Sequence, residues 1–599
     1  MLDEKNIIKA LQAATDAEVS PQTDETILSA ARAKAGQMKS QRTPFAMRHR
    51  FMLRVTAAAA VLVLAFGVTL VASPQFAESI FKVFFHYNDY APECASDNNR
   101  HSETSGPSSC GAGGLTPPND ARYNLLSKDM PENPFIHTDD ENVSNFAADT
   151  DTGSYSICRR YINEGLVPPS KAVRNEEFVN YFDYGYAAPK SYALVLYVDG
   201  APSEFNLYNK SNVFKIIRVG LQATEQKRPD ADVVLVVDTS ASMALDGKMA
   251  LVKKSLEIMH ANLRPTDRVA IVTFAKDATV VLQPTEAKNT EAIMDAINSL
   301  MPEAGEDVTN ICAGVVDGCK VARAMSSATS KHNKNNAKPT DTTCRIVLFS
   351  DGMANIKPTG PASILERVGK VAAENTQIFA VGLGMEGYND FLMEQIADHG
   401  NGRYVFVDSP IEAQRVFGEG LDEMLGIAAR DVTVEVDFNK DIVSSFRLIG
   451  YENHRITDAV SDGLDGGEIG IGGAMTALYE IKLHKNAKTG RVAKVRVAYT
   501  DPRTGKRLGL EQKIVSSDIA TSFEAASASL KTAMCAAEFA GVLRESRWSK
   551  TESSEDKIGT LSEILSAMYP IAKNNDDARI AEFMEMITKT RDVMESKSE

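Results

Sequence analysis

The stretch ADVVLVVDTSASM, residues 231–243, decides how the rest of the chain is read. Val233 to Val237 form an unbroken apolar run that ends on Asp238. Such a run, bounded by polar residues, is the pattern of a strand buried on both faces, as in a parallel sheet. Asp238, Ser240 and Ser242 then stand at its carboxyl end, the edge where open α/β sheets hold their ligands. A carboxylate and two hydroxyls this close together are hard oxygen donors, better suited to Mg²⁺ or Mn²⁺ than to zinc.

Related chemistry recurs further along. Thr309 follows a turn-rich segment, residues 302–307, and opens a helical pattern, while Asp351 closes a second apolar run, Ile346 to Phe349, in the form FSDG. Strand and helix patterns alternate through residues 230–429. That alternation predicts an α/β fold, a doubly wound and mostly parallel sheet with right-handed crossovers. The apolar strand, the D-x-S-x-S loop, Thr309 and Asp351, in this order, resemble the von Willebrand factor A domain and its metal-ion-dependent adhesion site. The resemblance assigns Asp238, Ser240, Ser242, Thr309 and Asp351 to the five metal positions. It implies Mg²⁺ (or Mn²⁺, with Ca²⁺ as an alternative) held mainly by hydroxyls, with Asp238 and Asp351 acting largely through water. A coordination position is then left for a Glu or Asp of a partner protein.

Two departures from that family stand out. Ala241 replaces the usual glycine, which is expected to stiffen the loop. Glu306-Asp307-Val308 replaces the usual Gly-Gly-Ser, and the added carboxylates are expected to favour tighter binding or Ca²⁺. The flanks NPFIHTDDENVSNFAADTDTGSY (residues 133–155) and RLIGYENHRI (residues 447–456) resemble the segments on either side of the A domain in one bacterial family of such proteins.

Outside residues 230–429 the periodicity changes. Period-two runs at 432–438, 445–449, 475–483, 493–499 and 508–515 read as half-buried strands. With runs at 192–197 and 213–221 they predict one β-sandwich, residues 188–229 and 430–517, into which the A domain is inserted. Residues 121–187 read as a small helical unit, and 518–599 as a helical tail. Thr521 and Glu524 are placed there as a capping box, and an Ala-rich face is expected to lie on the sandwich. Asp149, Asp151 and Gly153 invite three other readings. A calcium loop starting at Asp149 needs an acidic twelfth residue, where Arg160 stands. An aspartic protease or a D-x-D-x-T phosphatase needs a preceding apolar strand, which is missing. Capping of the helix that follows accounts for these aspartates more simply.

The formal charge of −15 over 599 residues argues against nucleic acid as a partner, since phosphate binding needs a basic surface. Residues 55–73, VTAAAAVLVLAFGVTLVAS, carry no charge and are long enough for a helix crossing a hydrocarbon core of about 30 Å. Residues 1–54 ahead of them are too many for a signal peptide's charged region. Arg32, Lys34, Lys39, Arg42, Arg48, Arg50 and Arg54 precede the span, and Lys82 follows it. This asymmetry predicts a single-pass inner-membrane protein with a cytoplasmic amino terminus and its bulk in the periplasm, or otherwise extracytoplasmic. Residues 1–54 then form a cytoplasmic helical tail, of which 1–50 can dock a partner, and 74–120 a linker. All seven cysteines fall on the predicted outer side. Cys94 and Cys110 are the expected pair, whereas Cys312 and Cys319, about 10 Å apart along a helix, cannot bridge each other.

Three functions fit: a metal-dependent protein-binding module, a signalling protein coupled to the cytoplasmic tail, and a metal-dependent hydrolase. The hydrolase is disfavoured, because no His is close in sequence to the motif loops and neither H-E-x-x-H nor G-x-S-x-G occurs. A non-enzymatic binding role is the expectation.

Overall fold

Eight consecutive buried residues, Ala231–Asp238, form strand β5 at the middle of the central sheet. The computed structural model describes residues 131–599, apart from 206–211, 305–307, 333–342, 370–375, 385–387, 453–465, 550 and 599. The expected tail, membrane span and linker (1–54, 55–73, 74–120) therefore lie outside the described residues. So do 121–130, Cys94, Cys110, Glu306, Asp307 and most of the polar insertion 327–343. Among the described residues no helix is long and apolar enough to cross a membrane.

In chain order the leading strands are β1 (Ile136–His137), β2 (Val143–Ala147), β3 (Leu194–Pro202) and β4 (Phe214–Ala223). The central domain contributes β5, β6 (Arg268–Phe274), β7 (Ala278–Glu286), β8 (Thr343–Ser350), β9 (Thr376–Gly382) and β10 (Tyr404–Phe406). There follow β11 (Ile427–Phe438), β12 (Val443–Ile449), β13 (Gly467–Gly470), β14 (Ala474–Leu483), β15 (Arg491–Thr500) and β16 (Arg507–Val515).

The central sheet has the order β10-β9-β8-β5-β6-β7. β5 pairs in parallel with β6 and β8, and β8–β9 and β9–β10 are also parallel. Alternate residues of β5 enter different cores. Val234 and Val236 join the layer holding Ile311, Val315 and Leu392, while Val233, Leu235 and Val237 join the layer holding Val252, Leu256 and Phe417. A strand apolar on both faces needs helices on both sides, and the flanking helices Lys248–Asn262 and Ile311–His332 supply them. The sequence pattern missed β7, which runs antiparallel to β6 at the edge. In β7 only Leu282 is buried, so no apolar run marks it.

Two further sheets, β1-β12-β14-β4-β3 and β13-β11-β15-β16, share a second core built from Ile217, Val219, Val434, Val436, Val495 and Tyr479 among others. The chain leaves this pair of sheets after β4 and returns at β11, with the central domain between. The segment expected to be a helical unit does contain the helices Gly153–Asn163 and Asn175–Val179, but it also donates a strand to each sheet. β1 pairs with β12, and β2 lies antiparallel on β11, end to end with β13. Short strands of mixed polarity, such as VSNFA, carry too little period-two signal to be read in advance.

The carboxyl-terminal helices Ala528–Arg544, Ser554–Ala572 and Ala578–Ser598 pack on more than the sandwich. Phe539 meets Phe178 and Phe583 at centroid separations of 6.0 and 5.5 Å, so the first of these helices rests on the leading helical segment. It also lies on the outer face of the sandwich, as expected, against Ile216, Ile449 and Leu478, and there Arg218 Nη1 donates to Ser529 Oγ at 3.1 Å. Thr521 and Glu524 do not cap it: the helix begins at Ala528, with Ser527 accepting from the Leu530 amide.

Candidate metal centre

The two loops after β5 and β8 meet at the carboxyl edge of the sheet. Asp238 is wholly buried, and its Oδ1 accepts from the Ser240 amide at 2.9 Å and from Ser240 Oγ at 2.6 Å. Ser240 Oγ lies 3.1 Å from Ser242 Oγ, and both serines are buried. The second Asp238 oxygen accepts from Ser350 Oγ at 2.6 Å. Asp351 is also wholly buried, with Oδ1 accepting from the Met353 amide at 3.2 Å and Oδ2 from Lys248 Nζ at 2.8 Å.

Thr309 comes from a third loop. Its carbonyl accepts from the amides of Asn355 and Ile356, and its own amide donates to Asn355 Oδ1 at 2.7 Å, which ties it to the loop that follows Asp351. The Glu303 amide donates to the Thr239 carbonyl at 2.7 Å and fastens the preceding segment to the loop after β5. Thr309 Oγ1 is fully buried and has no hydrogen-bond partner among the described residues. A buried hydroxyl without a partner is unfavourable by itself. Its place in a set of hydroxyls and carboxylates at one sheet edge is what a hard divalent cation would satisfy.

The sequence pattern brought all five predicted residues to this edge but missed three others. Ser350, Asn355 and Lys248 fix the carboxylates and Thr309. Ser350 and Asn355 lie within a few residues of Asp351, so the FSDG loop was a usable signal for them. Lys248 had none. It opens the helix Lys248–Asn262 after two residues in the left-handed region, Asp246 (φ 52°) and Gly247 (φ 68°), and this turn directs its side chain inward. Gly384 lets the stem pass, since a Cβ there would overlap Lys248 Cε. Ala241 begins a right-handed turn, Ala241–Ala244, that needs no glycine, so the first departure from the family is accommodated.

Electrostatically the site holds two carboxylates and one ammonium. Burial, followed by the nearby Asp351, pushes the Asp238 carboxyl up to about 7. Hydrogen bonds from Ser240 and Ser350 only partly offset this.

Asp149 and Asp151 lie elsewhere, and among the described residues no metal-binding cluster of acidic, His or Cys side chains forms around them. They do not cap the helix as expected either: Asp149 Oδ1 accepts from the Asp151 amide, and Asp151 Oδ1 accepts from the Tyr404 amide at 2.9 Å. The helix start is satisfied instead by Glu177, whose Oε2 accepts from the Ser154 amide. Nearby, buried Arg174 pairs with Glu177, Asp390 and Glu394, and Arg159 with Asp408 and Glu412. These ion pairs join the leading helices to the central domain. Cys158, Cys312, Cys319, Cys344 and Cys535 are buried free thiols.

Family comparisons agree with this geometry. The model described as "von Willebrand factor type A domain" matches residues 232–419, "von Willebrand factor" matches 119–210, and "Uncharacterized protein YfbK, C-terminal" matches 423–593. The "Uncharacterized protein YfbK" of Escherichia coli (strain K12) is 29% identical, covering 75% of this chain and 80% of that protein. The chain carries a von Willebrand factor type A domain followed by a YfbK-type carboxyl-terminal domain. The chain is also similar to the inter-alpha-trypsin inhibitor heavy chain H3 of Bos taurus, at 23% identity, covering 41% of this chain and 25% of that one. A solved structure, the von Willebrand factor type A protein from Catenulispora acidiphila, aligns with a TM-score of 0.38 at 14% identity, covering 64% of this chain and 87% of that one.

Proposed function

We infer that the A domain is a protein-binding module that holds a divalent cation, Mg²⁺ or Mn²⁺ with Ca²⁺ as an alternative, and presents it to a Glu or Asp of a partner. The observation that carries this reading is the buried, unpartnered hydroxyl of Thr309, held at the same sheet edge as the linked Ser240 and Ser242. Ser240, Ser242 and Thr309 would ligate the ion. Both oxygens of each aspartate are already engaged by Ser240, Ser350, Met353 or Lys248, which suits outer positions that act through water. Bound there by neutral hydroxyls, the cation retains charge with which to attract an incoming carboxylate. Commitment of the aspartates to these donors favours binding over acid–base chemistry.

The same proposal places the module outside the cytoplasm, anchored by residues 55–73, with residues 1–50 facing a cytoplasmic partner. Its support is the uncharged span and the run of basic residues before it. The test is capture of extracytoplasmic proteins on the immobilised full chain with Mg²⁺ or with chelator, beside Ser240→Ala/Ser242→Ala. A protein retained only with metal, and lost in the double variant, is the expected result. Equal retention throughout would sink the reading.

A further inference from the structure

At the opposite, amino-terminal end of the central sheet the chain encloses a cavity of about 30 Å³ lined by Arg345, Gln377, Arg403, Glu423 and Glu468 among others. Arg345 on β8 and Gln377 on β9 are register partners, so their side chains leave the sheet on the same face. Arg345 is wholly buried. Its Nε donates to the Met424 carbonyl at 3.1 Å, while Nη1 has no hydrogen-bond partner among the described residues. Gln377 is 4% exposed, and its Nε2 has none either. Arg403 gives Nη1 to Glu423 at 2.8 Å, but its Nε is also unpartnered. Three different side chains therefore bring unsatisfied N–H groups to one small space.

The charges are unbalanced as well. Arg430 stands near Glu468 at 3.8 Å and close enough to Arg345 to repel it. Arg403 pairs with Glu423 and Arg430 with Glu468, whereas no carboxylate pairs with Arg345 among the described residues. Burial pushes the Arg345 guanidinium down to about 10; Glu468 opposes that shift and Arg430 adds to it. Leaving buried donors and a buried cation uncompensated is unfavourable.

We propose that this cavity is a binding site for one chloride-sized monovalent anion, held by Arg345 Nη1, Gln377 Nε2 and Arg403 Nε. The size suits a single water or an ion of similar bulk and excludes phosphate. Water is the poorer occupant, because it accepts only two hydrogen bonds while three donors converge here. The lining comes from the central domain, from Ile427 and Glu468 of the sandwich, and from Thr150 of the leading segment. An anion bound there fastens three parts of the fold and stabilises the folded chain by mass action.

Thermal melts of the full chain test this, in chloride or bromide against gluconate at constant ionic strength. The expected result is a saturable rise of roughly 2–4 °C with halide. Gln377→Leu, which removes an unpartnered buried amide and keeps the volume, is expected to fold and to lose the halide response. Arg345→Met is the second variant. Crystals grown in bromide should show one anomalous peak between Arg345 and Gln377. Melts that ignore halide, a halide response of equal size in the wild type and in Gln377→Leu, or a water without anomalous signal at this position would each overturn the proposal.

Discussion

The two ends of the central sheet carry opposite imbalances. At the carboxyl end two buried carboxylates, Asp238 and Asp351, face one buried ammonium, Lys248. At the amino end Arg403 pairs with Glu423 and Arg430 with Glu468, while the buried guanidinium of Arg345 has no carboxylate paired to it among the described residues. The first end collects its groups from loops that follow strands; the second collects them at a seam between domains. Since a buried charge without a partner is strongly unfavourable, each end is a place where an ion of the missing sign gains most. The carboxyl end already carries an internal substitute in Lys248, whereas the amino end leaves three donors without a hydrogen-bond partner among the described residues.

Lys248→Met should test that contrast most sharply. In chelator the variant is expected to lose about 3–5 kcal/mol of stability, because removing one member of a buried pair strands the other. Divalent cations should recover much of that loss and should bind more tightly than to wild type, since a like charge has gone. Denaturant melts with and without Mg²⁺ measure both effects. If Mg²⁺ stabilises the variant no more than the wild type, Lys248 is not a substitute for the metal.

The pH dependence of the metal-free protein comes next. Asp238 is raised from 3.8 to about 7, so its protonated form is favoured by folding. Its contribution is fully present below pH 4 and is lost as pH rises through about 7, a decline of the order of a few kcal/mol. Asp238→Asn should flatten this slope, and saturating Mg²⁺ should also flatten it by favouring the charged carboxylate. Smaller still is Ser350→Ala. By releasing one Asp238 oxygen it should weaken divalent binding roughly 10–100-fold, read by calorimetry, and lower the stability of the metal-free chain by about 1–3 kcal/mol, since the Gly352 amide also loses its acceptor.

What was legible in the sequence follows the same division. The run Val233 to Val237 and the alternation after it marked the doubly wound sheet because a strand buried on both faces must be apolar throughout. The five residues at the carboxyl edge were legible because each lies just beyond a strand or just before a helix. Lys248 was not, since its approach to Asp351 depends on a left-handed turn and on space at Gly384, neither of which has a local apolar signature. The amino-end cavity was hidden for a related reason. Arg345 and Gln377 meet only through strand register, and Glu468 arrives from another domain. β2 and β7 escaped notice because short or largely exposed strands show no clean alternation.

The smallest expected effect separates buried charge from exposed charge at the same loop. Asp246 sits in the left-handed region two residues before Lys248 and pairs with Arg160 at 3.0 Å, both groups being about a third exposed. Asn tolerates the same backbone, so Asp246→Asn removes the ion pair without moving the turn. The cost should be about 0.2–1 kcal/mol and should fade in salt, as for other exposed pairs. Metal affinity should stay within twofold, because the charge balance of the site resides in Lys248 and Asp351. A large loss of affinity in Asp246→Asn at high salt would instead mean that the turn is held by the Arg160 contact, and that Lys248 reaches Asp351 only when the leading helix is docked.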